Sequence, residues 1–170
     1  LAGLYGALNF PEDIDILMLS KKERHQSNSS LAQGGVACVL DLENDSYDLH
    51  IEDTLIAGSR VNDVDAVTQL VEEGPGDVLR TIDYGVEYDR DENGELIKTL
   101  EGGHCRRRIL HHKDTSGKEM VDKLVLAVEK LPNVTLSDET MVTSMSRIKN
   151  GFKIEIMREN EYKTIYADFV

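Results

Sequence analysis

The run Asn28-Ser29-Ser30-Leu31-Ala32-Gln33-Gly34-Gly35 sets two hydroxyls, two side-chain amides and a glycine pair within eight residues. A backbone of this kind can come close to a flat polar ring and offer it hydrogen bonds. Further on, Glu101-Gly102-Gly103-His104-Cys105-Arg106-Arg107-Arg108-Ile109-Leu110-His111 places one carboxylate, two glycines and three guanidinium forks within eleven residues. That set suits a small dicarboxylic substrate. The plainer readings are a solvated loop glutamate at Glu101 and a partly solvated basic run at Arg106 to Arg108. On a strand alternate members of that run point opposite ways, so at most Arg107 or its two neighbours face a ligand.

Other residues carry weaker signals. Leu1-Ala2-Gly3 would complete a G-x-G-x-x-G turn if two glycines stood upstream, Gly3 then lying where a helix packs against a strand. The alternative is a glycine in an ordinary small-residue helix. Leu19 is followed by Ser20-Lys21, without the acidic residue that would bind an adenosine ribose, which counts against a nicotinamide cofactor. Lys21 either approaches the adenosine part or a phosphate of a nucleotide, or is solvated. His104, His111 and His112 lack a patterned carboxylate or cysteine set, so they read as structural rather than metal-binding, although His104 could border a site.

With 32 acidic against 19 basic residues the chain carries a formal charge of -13, which disfavours non-specific nucleic-acid binding. Cys38 and Cys105 are isolated, supporting neither a disulfide framework nor a metal cluster, and a reducing cytoplasm is the simplest location. No apolar stretch reaches the roughly 18 to 20 residues that span a bilayer. Small and apolar residues open the chain directly and a strand pattern closes it in mid-run, so the reading expected is an internal piece of a larger protein.

The elements that must hold these residues follow from periodicity. A helix is expected over 2–8, a buried strand over 14–19, a loop or short helix over 20–35 and a strand over 36–40. Asp45 or Ser46 caps a helix ending at Gly58, and Asn62-Asp63 opens another through Val71. Gly74-Pro75 is expected to interrupt, with a third helix over 78–84 and a hairpin over 86–100 about the Asn93-Gly94 turn. Thr115 or Ser116 caps a helix over 118–130 whose apolar face is Met120, Leu124, Ala127 and Val128. Strands over 134–136, 141–148, 152–157 and from Tyr162 complete the chain. The sum is an α/β fold, a partial doubly wound, Rossmann-like sheet lacking its first strand, with a β-meander.

Several ordered motifs resemble the L-aspartate oxidases, within the flavoprotein family of succinate dehydrogenase and fumarate reductase. They are the 27–35 run, His50-Ile51-Glu52-Asp53-Thr54-Leu55-Ile56-Ala57-Gly58, Glu72-Glu73-Gly74-Pro75, Glu101-Gly102-Gly103-His104 with Arg107-Arg108-Ile109-Leu110-His111, and Asp114 through Gly117. The similarity runs from Leu1 to Val170, and implies that residues 1–170 form a single, incomplete FAD-binding domain. Membrane-associated respiratory members place a flavin-bonding histidine where Asn28 stands, and an amide cannot make that bond. The resemblance therefore implies non-covalent FAD, contacted by Leu1, Ala2, Gly3, Lys21, Asn28, Ser29, Ser30, Leu31, Ala32, Gln33, Gly34 and Gly35, with Met141 and Val142 beside the adenine.

Glu101 stands where dicarboxylate-reducing relatives commonly carry an apolar residue, and only aspartate brings an ammonium for a carboxylate to hold. At about 4 Å such a pair gains on the order of 4 kcal/mol at an effective dielectric of 20, before desolvation is subtracted. The family pattern commonly has threonine at Ser116, where serine still serves as a cap. The resemblance implies oxidation of L-aspartate to iminoaspartate at the start of NAD synthesis, with oxygen or fumarate as electron acceptor and quinolinate synthase as a partner. It also places the catalytic arginine beyond Val170, so the piece alone is expected to be inactive. The alternatives are a soluble fumarate reductase-like flavoprotein and a non-catalytic nucleotide-binding module.

Overall fold

The computed structural model describes residues 1–170. Four helices are present: α1 (Ala2–Asn9), α2 (Tyr47–Ala57), α3 (Val64–Asp83) and α4 (Ser116–Val128). The first four strands are β1 (Ile16–Leu19), β2 (Val36–Ala37), β3 (Lys98–Thr99) and β4 (Ile109–Leu110). The last four are β5 (Val134–Ser137), β6 (Met141–Ile148), β7 (Gly151–Arg158) and β8 (Glu161–Ala167), and a 3-10 turn spans Ser29–Leu31. Parallel and antiparallel sheets occur together, a mixed α/β fold. The chain divides into two compact units, one of Leu1–Asn28 with Val125–Val170 and one of Ser29–Leu124.

In the first unit β1 and β5 pair in parallel, Ile16 opposite Val134 and Leu19 opposite Ser137. This is the Rossmann-like part of the fold. Ser20 N–H donates to the Ser137 carbonyl at 3.0 Å and Thr140 N–H to the Ser20 carbonyl at 2.8 Å, which fastens together the loops at the carboxyl ends of both strands. Arg24 reinforces the same edge by reaching Asp138 and Glu129, each at 2.9 Å. The meander is formed as expected: β6 pairs β7 and β7 pairs β8, all antiparallel, with an irregularity between Val142 and Ser144. Gly151 turns the first hairpin at φ 109, a left-handed conformation that glycine adopts without a side-chain clash.

The second unit holds a small antiparallel sheet of order β2-β4-β3, in which Val36 and Lys98 both stand opposite Leu110. The strand expected over 36–40 is shorter than its apolar run: only Val36–Ala37 stand in register with β4, and one further bond, Cys38 N–H to the Arg108 carbonyl at 3.0 Å, follows them. Likewise the hairpin over 86–100 reduces to a single Arg90–Leu96 bridge. Its turn is formed nonetheless, with Asp91 Oδ1 accepting from Asn93 N–H at 2.8 Å and Glu95 N–H at 2.9 Å. Val86 and Tyr88 are buried core residues, and Tyr88 Oη lies 3.1 Å from Thr81 Oγ1.

The interruption expected at Gly74-Pro75 does not occur: α3 runs unbroken for 20 residues from its Asp63 cap. An internal proline costs a helix about 3 kcal/mol through its missing N–H and ring clash. Here Val67, Val71, Pro75, Val78 and Thr81 form one buried stripe, so the proline ring itself lies on the packed face, and burial of the stripe outweighs the local preference. The apolar face of α4 is also turned from the one expected, to Val121, Leu124, Val125 and Val128.

Two glycines give opposite expectations. A Cβ at Gly76, in the exposed middle of α3, would meet nothing within 4 Å. Gly76→Ala is therefore expected to stabilise the protein by about 0.5–1 kcal/mol through helix propensity. A Cβ at Gly35 would strike the Leu110 carbonyl oxygen and lie 2.5 Å from Ile109 Cγ2, so Gly35→Ala must displace β4. It should destabilise by about 1–3 kcal/mol, and thermal melts of the two variants should shift in opposite directions.

Candidate functional site

In the second unit the polar glycine run is seated from below by α4. Gly117 N–H donates to the Ala32 carbonyl at 3.0 Å, and a Cβ at Gly117 would collide with the Ser29 carbonyl and come within 2.8 Å of Ala32. Only a glycine lets the helix start approach the turn this closely. The outer face of the turn is open: Leu31 is 77% exposed, and Ala32, Gln33, Gly34 and Gly35 are exposed beside it. Its neighbour there is Glu101, whose Oε2 would lie 3.7 Å from a Cβ at Gly34. The two runs with chemical potential, far apart in sequence, thus share one face.

Glu101 begins a tight loop in which its carbonyl accepts His104 N–H at 3.2 Å and Gly103 takes φ 85. The loop is tied down by residues of α2. Asp53 Oδ2 accepts Cys105 N–H at 2.8 Å and Arg108 Nη1 at 2.6 Å. Arg108 also spans Asp45 as a two-pronged pair, Nε to Oδ2 at 2.8 Å and Nη2 to Oδ1 at 2.7 Å. Its side chain is 1% exposed. A bidentate guanidinium–carboxylate pair with a second carboxylate satisfies the fork in a buried place, as burial of such a charge requires.

The electrostatics follow from that packing. Burial pushes the Asp45 carboxyl up, but the Arg108 hydrogen bonds, the Ser46 N–H and the Arg108 charge outweigh it, and the net result lies below the usual carboxylate range. Asp53 is likewise lowered: burial opposes, while the Cys105 N–H and Arg108 prevail. The hydrogen bonds that Arg108 donates to Asp45 raise it above its ordinary value. His50, buried with Nδ1 unpartnered, is pushed down to about 4 by burial first and by Arg108 and His104 next. Its ring stands 5.5 Å from that of His104.

The basic run is therefore divided. Arg106 and Arg107 are exposed, while Arg108 is a buried anchor and does not face a ligand. Ser116 is also used differently from the cap expected: it lies inside α4, buried, and its Oγ accepts His112 N–H at 2.9 Å. His112 Nδ1 contacts the Glu87 carbonyl at 2.7 Å and His111 Nδ1 lies 3.0 Å from Asp89 Oδ2. No three His, Cys, Asp or Glu side chains gather in a metal-binding group. Sequence reading missed the Asp45, His50, Asp53 and Arg108 cluster. The available signal was α2 itself, whose inner face carries a histidine and an aspartate where an amphipathic helix would carry apolar residues.

In the first unit Lys21, Met141 and Val142 share the edge at the carboxyl ends of β1 and β5. α1 starts at Ala2 with no side-chain cap and no acidic residue in its first turn. A Cβ at Gly3 would meet Met18 Cε at 3.5 Å, an ordinary contact, so the approach of α1 to β1 does not by itself demand glycine. Lys21 is exposed between Ser20 and Lys22, whose carbonyls accept from Thr140 and Glu139. The same loop therefore lies beside Met141 and Val142, 39% and 46% exposed at the start of β6. Asn28 is exposed at the end of this unit's first segment.

Residues 1–168, drawn from both units, match the family described as FAD binding domain. The chain belongs to the FAD binding domain family. Its cofactor is FAD. Among curated proteins, this FAD binding domain is 43% identical over 171 residues to an L-aspartate oxidase of Clostridium perfringens, covering 100% of the chain and 38% of that protein. An L-aspartate oxidase of Acinetobacter baylyi is 42% identical over 135 residues, or 79% of the chain and 25% of that protein. The chain thus spans well under half the length of these relatives. In fold it matches Escherichia coli quinol fumarate reductase FrdA with a TM-score of 0.92 at 23% identity, over 99% of this chain and 30% of that one. The Sdh1 complex of Mycobacterium smegmatis gives 0.88 at 20% identity, over 98% and 31%. No helix is long and apolar enough to cross a membrane.

Proposed function

We propose that this chain is part of the FAD-binding domain of a flavin-dependent oxidase that converts L-aspartate to iminoaspartate, residues 1–170 acting as one domain. The observation that carries the reading is the Glu101 carboxylate beside the exposed Gly34 turn. A carboxylate there repels the two carboxylates of a simple dicarboxylate and attracts only a substrate that also carries an ammonium.

The residues present fit the cofactor. The turn from Ala32 to Gly35 is exposed and projects no side chain at Gly34 or Gly35, leaving a face open to a flat ring. No hydrogen bond within the chain uses the N–H of Gln33 or Gly34 or the Gln33 side-chain amide, so these groups remain for the ring's polar edge. Ser29, Ser30 and Leu31 support the same turn, and Asn28 precludes a covalent attachment. In the first unit, the uncapped start of α1 at Leu1, Ala2 and Gly3 suits the pyrophosphate, Lys21 a phosphate or adenosine, and the Met141 and Val142 backbone the adenine. Ligands of open α/β sheets lie off the carboxyl ends of the strands, where Lys21 follows β1.

When bound, FAD supplies the acceptor for the hydride leaving the substrate α-carbon, and the electrons pass on to oxygen or fumarate. Glu101 holds the amino group. Iminoaspartate is unstable in water, which favours transfer to a consuming enzyme such as quinolinate synthase. Isolated cysteines and the absence of a long apolar helix fit a cytoplasmic protein.

The full-length protein should purify with a flavin absorption spectrum and should reduce its flavin when L-aspartate is added without oxygen. A colourless product would favour a non-catalytic nucleotide-binding module instead. The 170-residue chain alone is expected neither to retain FAD tightly nor to turn over. Flavin co-purifying with it at near one per chain would contradict that expectation.

A further inference from the structure

We propose that His104 donates a hydrogen bond through Nε2–H to a carboxylate oxygen of the substrate, and that Arg108, clamped by Asp45 and Asp53, is the positioning residue that makes it a donor. The inference deepens the reading above and rests on it, since it assumes a dicarboxylate beside Glu101.

Arg108 Nη1 lies 3.2 Å from His104 Nδ1. A guanidinium has donors and no acceptor, so this bond forms only when Nδ1 offers a lone pair. The neutral ring then carries its proton on Nε2. Nε2 has no partner within the chain and is not among the buried unpartnered atoms, so its proton points to an open position. Arg108 cannot swing away, because both carboxylates hold its fork at 2.6 to 2.8 Å.

The same clamp places the ring. Asp53 fixes Cys105 N–H at 2.8 Å, and the Glu101 carbonyl accepts from His104 N–H, so Glu101 and His104 flank one tight loop. His50 stands against it as a buried ring at 5.5 Å that burial keeps uncharged at neutral pH. It crowds His104 without adding charge. The chemistry needs such a donor: Glu101 attracts the ammonium of an amino dicarboxylate but repels both of its carboxylates, and a neutral N–H nearby offsets that repulsion without neutralising Glu101.

The test begins with nitrogen-15 NMR of histidine-labelled full-length protein at pH 8, the His104 signals being assigned by their loss in His104→Gln. The expected result is the neutral Nε2–H tautomer; an Nδ1–H tautomer or a cationic ring overturns the proposal without reference to turnover. In kinetics, His104→Gln keeps an N–H near the Nε2 position and should hold KM for L-aspartate within about threefold, whereas His104→Leu should raise it about 30-fold with a smaller change in kcat. Equal losses in both variants would remove the donor role. Asp53→Asn should raise KM about fivefold in the wild-type background and less than twofold in the His104→Leu background, because it acts through the ring. Full additivity would reduce Asp53 and Arg108 to structural residues. Should L-aspartate not be turned over at all, the functional reading fails separately. The Gln and Leu variants are then compared by the flavin absorbance change on binding fumarate, where an undiminished signal in His104→Leu refutes the donor.

Discussion

Glu101→Gln in the full-length protein should lower kcat/KM for L-aspartate by about 100-fold, a loss of about 2.7 kcal/mol, while changing fumarate reduction by less than about threefold. The amide is isosteric and still accepts a hydrogen bond, so packing of the loop against the Gly34 turn is kept and only the negative charge is removed. The charge matters to one substrate alone, because fumarate has no ammonium to hold. The loss is smaller than the full Coulomb attraction of roughly 4 kcal/mol, since part of it offsets desolvation of the pair. Steady-state kinetics with both substrates on one preparation decides the point. Equal losses would favour a fumarate reductase that reads dicarboxylates without the amino group.

Arg108→Met should be the most damaging single substitution in the buried cluster. It leaves Asp45 and Asp53, with side chains 4% and 12% exposed, facing each other without a cation. Removing one partner of a buried ion pair costs about 3–5 kcal/mol, expected as a fall of about 10 °C or more in the melting temperature. The pH dependence follows in sign. Both carboxyls are held below the usual range in the folded protein, so their contribution is complete above the unfolded carboxylate value of about 3.9 and is lost as pH falls through the lower folded values. In Arg108→Met only the Ser46 and Cys105 N–H groups still oppose burial, the carboxyls move up, and acid destabilisation should begin at higher pH. Melts from pH 3 to 8 would show this, and a variant with wild-type acid behaviour would mean that Arg108 is not the partner that matters.

How much of this could be read beforehand depended on the range of the deciding interaction. The meander was legible because alternation and turns such as Lys149-Asn150-Gly151 are local signals, and β6 begins and ends where the pattern does. The caps Ser46 and Asp63 were equally local. Pro75 was misread because its local cost is real and the burial that outweighs it becomes visible only when the whole α3 stripe is seated. Arg108 was grouped with its neighbours because nothing in a basic triplet distinguishes the member that turns inward. Its partners, Asp45 and Asp53, lie 63 and 55 residues away. By contrast Gly34 and Glu101 were drawn together by the chemistry each run could do, and the structure places them on one face.

A crystal structure of the full-length protein with reduced FAD and L-aspartate bound tests the central claim most directly. The account predicts the Gln33–Gly35 backbone against the isoalloxazine edge and a Glu101 carboxylate oxygen within about 4 Å of the substrate nitrogen. Flavin seated away from that turn, or Glu101 in bulk solvent with the substrate amine held by another group, would contradict it.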